Sequence, residues 1–132
     1  MRHLIAALLL LLLLLLMASP AIAETWTPDQ PSACNTRGTT ADIAGCHMQR
    51  TKVWDLRLND AYRTLTAMIQ QMKNPAQLAA LKRTERLWLD YRKENCGFYA
   101  DGQGTISEIL FADCMRRMTQ DRAIELQRAG PQ

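Results

Sequence analysis

From His47 to Lys73 the chain runs without a glycine or proline, and its apolar residues recur at steps of three and four. Trp54, Leu58, Ala61, Tyr62, Leu65, Ile69 and Met72 fall on one stripe at 100° per residue, which predicts an amphipathic helix. Thr39-Thr40-Ala41-Asp42 can cap its start. Asn74-Pro75 ends it and opens a second helix, because proline suits a first helical turn and disfavours helix in the residue before it. The second helix runs to about Cys96, with Leu78, Leu81, Thr84, Trp88, Tyr91 and Cys96 on one broad face, until "GFYADGQG" interrupts it. Thr105-x-x-Glu108 has the pattern of a capping box for a third helix, striped by Phe111, Cys114, Met115, Met118 and Leu126 and ending near Arg128. No stretch alternates like a strand. The fold class is therefore all-α: a three-helix domain over residues 39–128 on a long antiparallel hairpin, preceded by an irregular arm at residues 24–38.

Several polar residues break the segregation. Glu85, Arg92 and Asn95 point into the apolar face beside Trp88, Arg122 sits among the apolar residues of the third helix, and Asp55 and Asn59 edge the first stripe. A turn at residues 74 and 75 makes facing residue numbers of the hairpin sum to roughly 148. Arg92 then lies opposite Asp55, and Trp88 opposite Asp60 and Ala61. A buried arginine is costly unless a carboxylate and further acceptors satisfy it. Asp55, Asn59, Glu85, Arg92 and Arg122 thus read first as a structural network that fixes the hairpin register, and second as a ligand or catalytic pocket.

The amino terminus sets the compartment. Arg2, a leucine-rich run and Ala21-Ile22-Ala23 form a secretory signal peptide, residues 1–23, cleaved after Ala23. Of the 132 residues this leaves 109, enough for one domain, with 15 basic against 13 acidic side chains once Arg2 is gone. Such a balance implies neither a nucleic-acid nor a membrane partner. Cys34, Cys46, Cys96 and Cys114 all follow the leader, and an even count in a small exported domain reads as two disulfides with three connectivities open. No CxxC pair exists and His47 is the one histidine after the leader, so neither metal nor cofactor is expected. Nor is an enzyme: there is no phosphate loop, no nucleophile–base pair and little room for a two-carboxylate cleft.

Taken together, Asp55 with Leu58-Asn59 and Tyr62, Trp88 with Tyr91-Arg92 and Cys96, a glycine-containing turn, Cys114, and Thr119 with Arg122 resemble the lysozyme inhibitor LprI-like family of small exported helical bacterial proteins. Cys34 and Cys46 match that family's amino-terminal cysteine pair, and the resemblance covers about residues 34–126. Thr84-Glu85 departs from the family's usual Ala-Gln, and the turn glycines are spread as Gly102-Gln103-Gly104. No cysteine adjoins the cleavage site to accept a lipid, so no stable membrane anchor is implied. The resemblance implies a periplasmic or secreted protein that binds a lysozyme or other peptidoglycan hydrolase, as inhibitor or immunity protein. The alternative is a non-enzymatic periplasmic adaptor. From the three pairings, Cys34–Cys46 and Cys96–Cys114 are expected, each joining neighbours across one turn. A partner must meet exposed residues, so the candidates are Trp26 and Arg37 in the arm and Phe98, Tyr99 and Asp101 after Cys96.

Overall fold

The computed structural model describes residues 25–30, 33–35 and 38–130. The expected leader, residues 1–23, and Arg37 lie outside them. Among the described residues three helices carry the fold: α1 (Thr40–Gln71), α2 (Pro75–Ala100) and α3 (Ile106–Ala129). Thr39 and Asp42 close a capping box on α1, each side chain bonding the other's backbone N–H. Gly38 permits it: at φ +54° it takes a left-handed conformation, and a Cβ there would stand 2.6 Å from an Asp42 carboxylate oxygen. At the other end Lys73 turns left-handed (φ 54°), while its N–H and that of Asn74 bond the carbonyls of Gln70 and Ile69. This is a Schellman termination. Asn74 then caps α2 by accepting from the Gln77 N–H at 3.0 Å.

Two boundaries differ from the sequence reading. α2 continues through Gly97 to Ala100, so Phe98 and Tyr99 occupy its last turn and the break falls at residues 101–105. One glycine inside a long helix costs only about 1 kcal/mol, too little to end it. The capping box expected at Thr105 does not form. Thr105 is itself helical in backbone and makes no side-chain cap bond, and the Ser107 hydroxyl donates instead to the Gly104 carbonyl at 2.8 Å.

Both disulfides pair as expected, Cys34–Cys46 and Cys96–Cys114. α1 and α2 form the hairpin, yet the closest packing is between α1 and α3. The core gathers Trp54, Leu58, Ala61, Leu65 and Ile69 of α1 with Ala123, Ile124 and Leu126 of α3, and Leu78, Leu81 and Trp88 of α2 pack on its side. α3 approaches α1 so closely because Ala112, Thr119 and Ala123 put small side chains on one face, none more than 1% exposed. The larger Phe111, Met115 and Met118 flank that line, half-buried. Two expected core residues point to solvent: Tyr91 is 60% exposed and Met72 54%.

Candidate functional site

The α1–α2 seam contains an open groove of about 500 Å³. Asp55, Leu58, Asn59 and Tyr62 line it from α1, and Lys82, Glu85, Arg86, Leu89 and Arg92 from α2. The facing pairs follow the expected hairpin register, with an Arg92 amino group 3.5 Å from an Asp55 oxygen. The same Arg92 nitrogen donates to the Thr119 hydroxyl at 2.8 Å, and its guanidinium lies over the Trp88 ring, 4.8 Å from the centroid. Thr119 passes the link onward by donating to the Met115 carbonyl. Glu85 turns the other way. One of its carboxylate oxygens accepts two bonds from Arg122, at 2.8 and 3.0 Å, and both side chains are nearly buried. Burial works against the Arg122 charge, but the bonds it donates to Glu85 and Glu125 outweigh that and hold its pKa above the ordinary arginine value.

Four of the five network candidates therefore form two pairs, Asp55–Arg92 and Glu85–Arg122, that tie α2 to its neighbours. Asn59 joins neither: exposed, it donates to the Asp55 carbonyl one turn back along its own helix. Asn95, also read as inward, directs its amide to Met118 and Cys114 sulfurs at 3.3 and 3.5 Å beside the second disulfide.

The end of the molecule pinned by Cys96–Cys114 has a different surface. Phe98 is 75% exposed and meets Tyr99 edge-on, with ring centroids 5.4 Å apart. Beside them Asp101, Ile106 and Leu110 border a hollow of about 490 Å³, and a second of about 270 Å³ opens between Met48, Glu108 and Phe111. Ser107 lines both hollows, and no basic residue lines either. An exposed hydrophobic strip continues along α2: Leu87, Tyr91 and Phe98 fall within about 40° on the helix and are 67%, 60% and 75% exposed.

The chain matches the lysozyme inhibitor LprI family over residues 32–126. It belongs to that family. It is also 31% identical over 120 residues to an uncharacterized protein of Rhizobium meliloti (strain 1021), covering 82% of this chain and 83% of the relative. No solved structure matches it significantly.

The segment matching the LprI family contains both disulfides, the groove and the hollows, but it begins after a set of contacts that the sequence reading missed. In the arm, Asp29 accepts from Arg50 at 2.7 Å and from the Trp54 indole at 2.8 Å, and its N–H donates to the Gln120 side chain. Trp26, read as an exposed candidate, is half-buried instead. Its N–H donates to Gln127, its ring meets Trp54 edge-on at 6.4 Å, and Arg57 lies over both indoles. Burial pushes the Asp29 carboxyl up, but the bonds from Arg50 and Trp54 and the charges of Arg50 and Arg116 bring it below the usual carboxylate range.

A second buried cluster lies in the same seam of this LprI-family chain. Arg116, only 3% exposed, donates to Asp113 at 2.7 Å and to Gln120 at 3.2 Å. His47, 2% exposed, has its Nδ1 3.5 Å from Asp113, short of a hydrogen bond. Burial lowers the His47 pKa, Asp113 opposes this, and Arg116 and Arg50 add to the lowering. Arg116 could have been found from its place on the line of Ala112, Thr119 and Ala123. Nothing in the arm's composition singled out Asp29. Among the described residues no group of His, Cys, Asp or Glu could hold a metal, and no helix is long and apolar enough to cross a membrane.

Proposed function

We propose that the protein is exported, loses residues 1–23, and acts without catalysis by binding a lysozyme-type muramidase or a related peptidoglycan hydrolase. Membership of the lysozyme inhibitor LprI family supports the inhibitor reading. The observation that carries the choice of surface is the exposed Phe98, backed edge-on by Tyr99, which is half-buried rather than exposed as expected, beside an apolar hollow on a disulfide-pinned helix end. Rigid aromatic side chains lose little entropy on binding, and such anchors supply much of the energy of a protein interface. Charge supports the same surface. Many lysozymes are strongly cationic, the chain offers no global attraction to them, and complementarity must be local. Asp101 and Glu108 border the two hollows and supply it there.

The test is a cell-wall turbidity assay of the purified protein against c-, g- and i-type lysozymes. Inhibition of at least one type is expected. The Phe98→Ala/Tyr99→Ala double variant should weaken it by about tenfold or more with unchanged circular dichroism. Absence of inhibition across all three types would transfer the assignment to an adaptor that binds another envelope protein. Full inhibition by the double variant would remove the recognition surface from this end.

A further inference from the structure

The α1–α2 groove carries charges that neither the fold nor the proposed inhibitor surface uses. Asp55 is matched by Arg92 and Glu85 by Arg122, so the lining carboxylates are already neutralised. Lys82 and Arg86 remain. They stand one turn apart on α2, both exposed and both lining the groove, and no carboxylate among the described residues pairs with them. The wall facing them is apolar at Leu58 and Tyr62, with Leu89 completing it from α2. The groove is also held open. α2 is bonded to α3 through Glu85–Arg122, Arg92–Thr119 and the Cys96–Cys114 bridge, whereas its one ion pair to α1 is the 3.5 Å contact of Arg92 with Asp55.

We propose that this groove is a binding site for a small ligand that carries carboxylates on an apolar body, of the size of an acidic di- or tripeptide. About 500 Å³ falls within the usual range for small-molecule sites. Two unpaired cations one helical turn apart match two carboxylates on alternate residues of an extended peptide, which point to one side, and the Leu58–Tyr62–Leu89 wall takes the apolar side chain between them. Arg92 stiffens the site rather than neutralising the ligand, because Thr119, Asp55 and the Trp88 ring already hold it. The site is separate from the Phe98 surface, and neither proposal depends on the other.

The probe is the tripeptide acetyl-Glu-Leu-Glu-amide, titrated into the isotopically labelled, oxidised protein and followed by amide chemical shifts. Saturable shifts confined to residues 55–62 and 82–92 are expected. The Lys82→Ala/Arg86→Ala variant should bind about tenfold more weakly or worse, with a circular dichroism spectrum identical to that of the parent. Acetyl-Gln-Leu-Gln-amide, which has the same shape without charge, should leave those shifts unmoved. Absence of saturation, equal binding of the glutamine peptide, undiminished binding by the variant, or shifts spread evenly over all three helices would each overturn the site.

Discussion

Neighbouring positions on α1 meet two different worlds. Trp54, Leu58, Ala61, Leu65 and Ile69 close against Ala123, Ile124 and Leu126 of α3 in a core whose members are at most 6% exposed. Asp55, Asn59 and Tyr62, one step around the helix, face α2 across an open groove. The difference lies in what the partner helix offers. α3 presents small side chains that allow close approach, and the arm seals that seam with Trp26 and Asp29. α2 presents long charged residues on its groove side, and polar ties hold it mainly to α3. The α1–α3 seam thus holds most of the buried core, while the α1–α2 seam stays open as a groove.

The largest expected effect tests that asymmetry directly. Trp54→Ala should cost about 3–5 kcal/mol in urea unfolding, since the ring is 1% exposed and its loss also strands Asp29 and Trp26. Trp88→Ala, in the half-buried flank of α2, should cost about 1–2 kcal/mol. Equal losses would mean that the two seams contribute alike.

Next come the polar ties. Glu85→Leu leaves Arg122 nearly buried with only the exposed Glu125, and should cost about 2–3 kcal/mol, below the range for a fully buried pair. Arg122→Leu in the same chain should recover part of that, a coupling that independent sites would not show. Arg92→Met should cost only about 1 kcal/mol, because the Asp55 side chain it leaves behind is half-exposed and stays hydrated. A larger loss at Arg92 than at Glu85 would invert the ranking and make the groove side the firmer one.

The smallest expected effect is a pH dependence confined to the closed seam. His47 has a pKa below its ordinary 6.5 when folded, so the unfolded chain takes the proton first. Its contribution is complete above pH 6.5 and is lost as pH falls from there toward the folded value. Asp29 and Asp113 are depressed below 3.8, so their contributions persist above that pH and are lost on further acidification. Thermal unfolding between pH 7.5 and 5 should show a modest fall in Tm that His47→Gln abolishes. An unchanged slope in that variant would place the titration elsewhere.

Periodicity alone determined much of this protein. The α1 stripe, the Asn74-Pro75 turn and the three-helix order follow from side-chain spacing and local cap chemistry, which need no knowledge of distant residues. The hairpin register follows too, since a short turn fixes which residues of two helices can meet, and Arg92 duly reaches Asp55. The cysteine pairs were legible because each joins segments that the helix order brings together. What only the tertiary structure decided is which helix α1 would embrace. That depended on Ala112, Thr119 and Ala123, whose small size contributes little to a hydrophobic stripe yet sets how near two backbones can come. With α3 in the centre, Arg116 and Gln120 became buried, Tyr91 was turned outward, and the arm found a seam to lie on. Long-range hydrogen bonds such as Asp29 to Trp54 leave no mark in local sequence, because each partner is an ordinary residue until the fold brings the two within 2.8 Å.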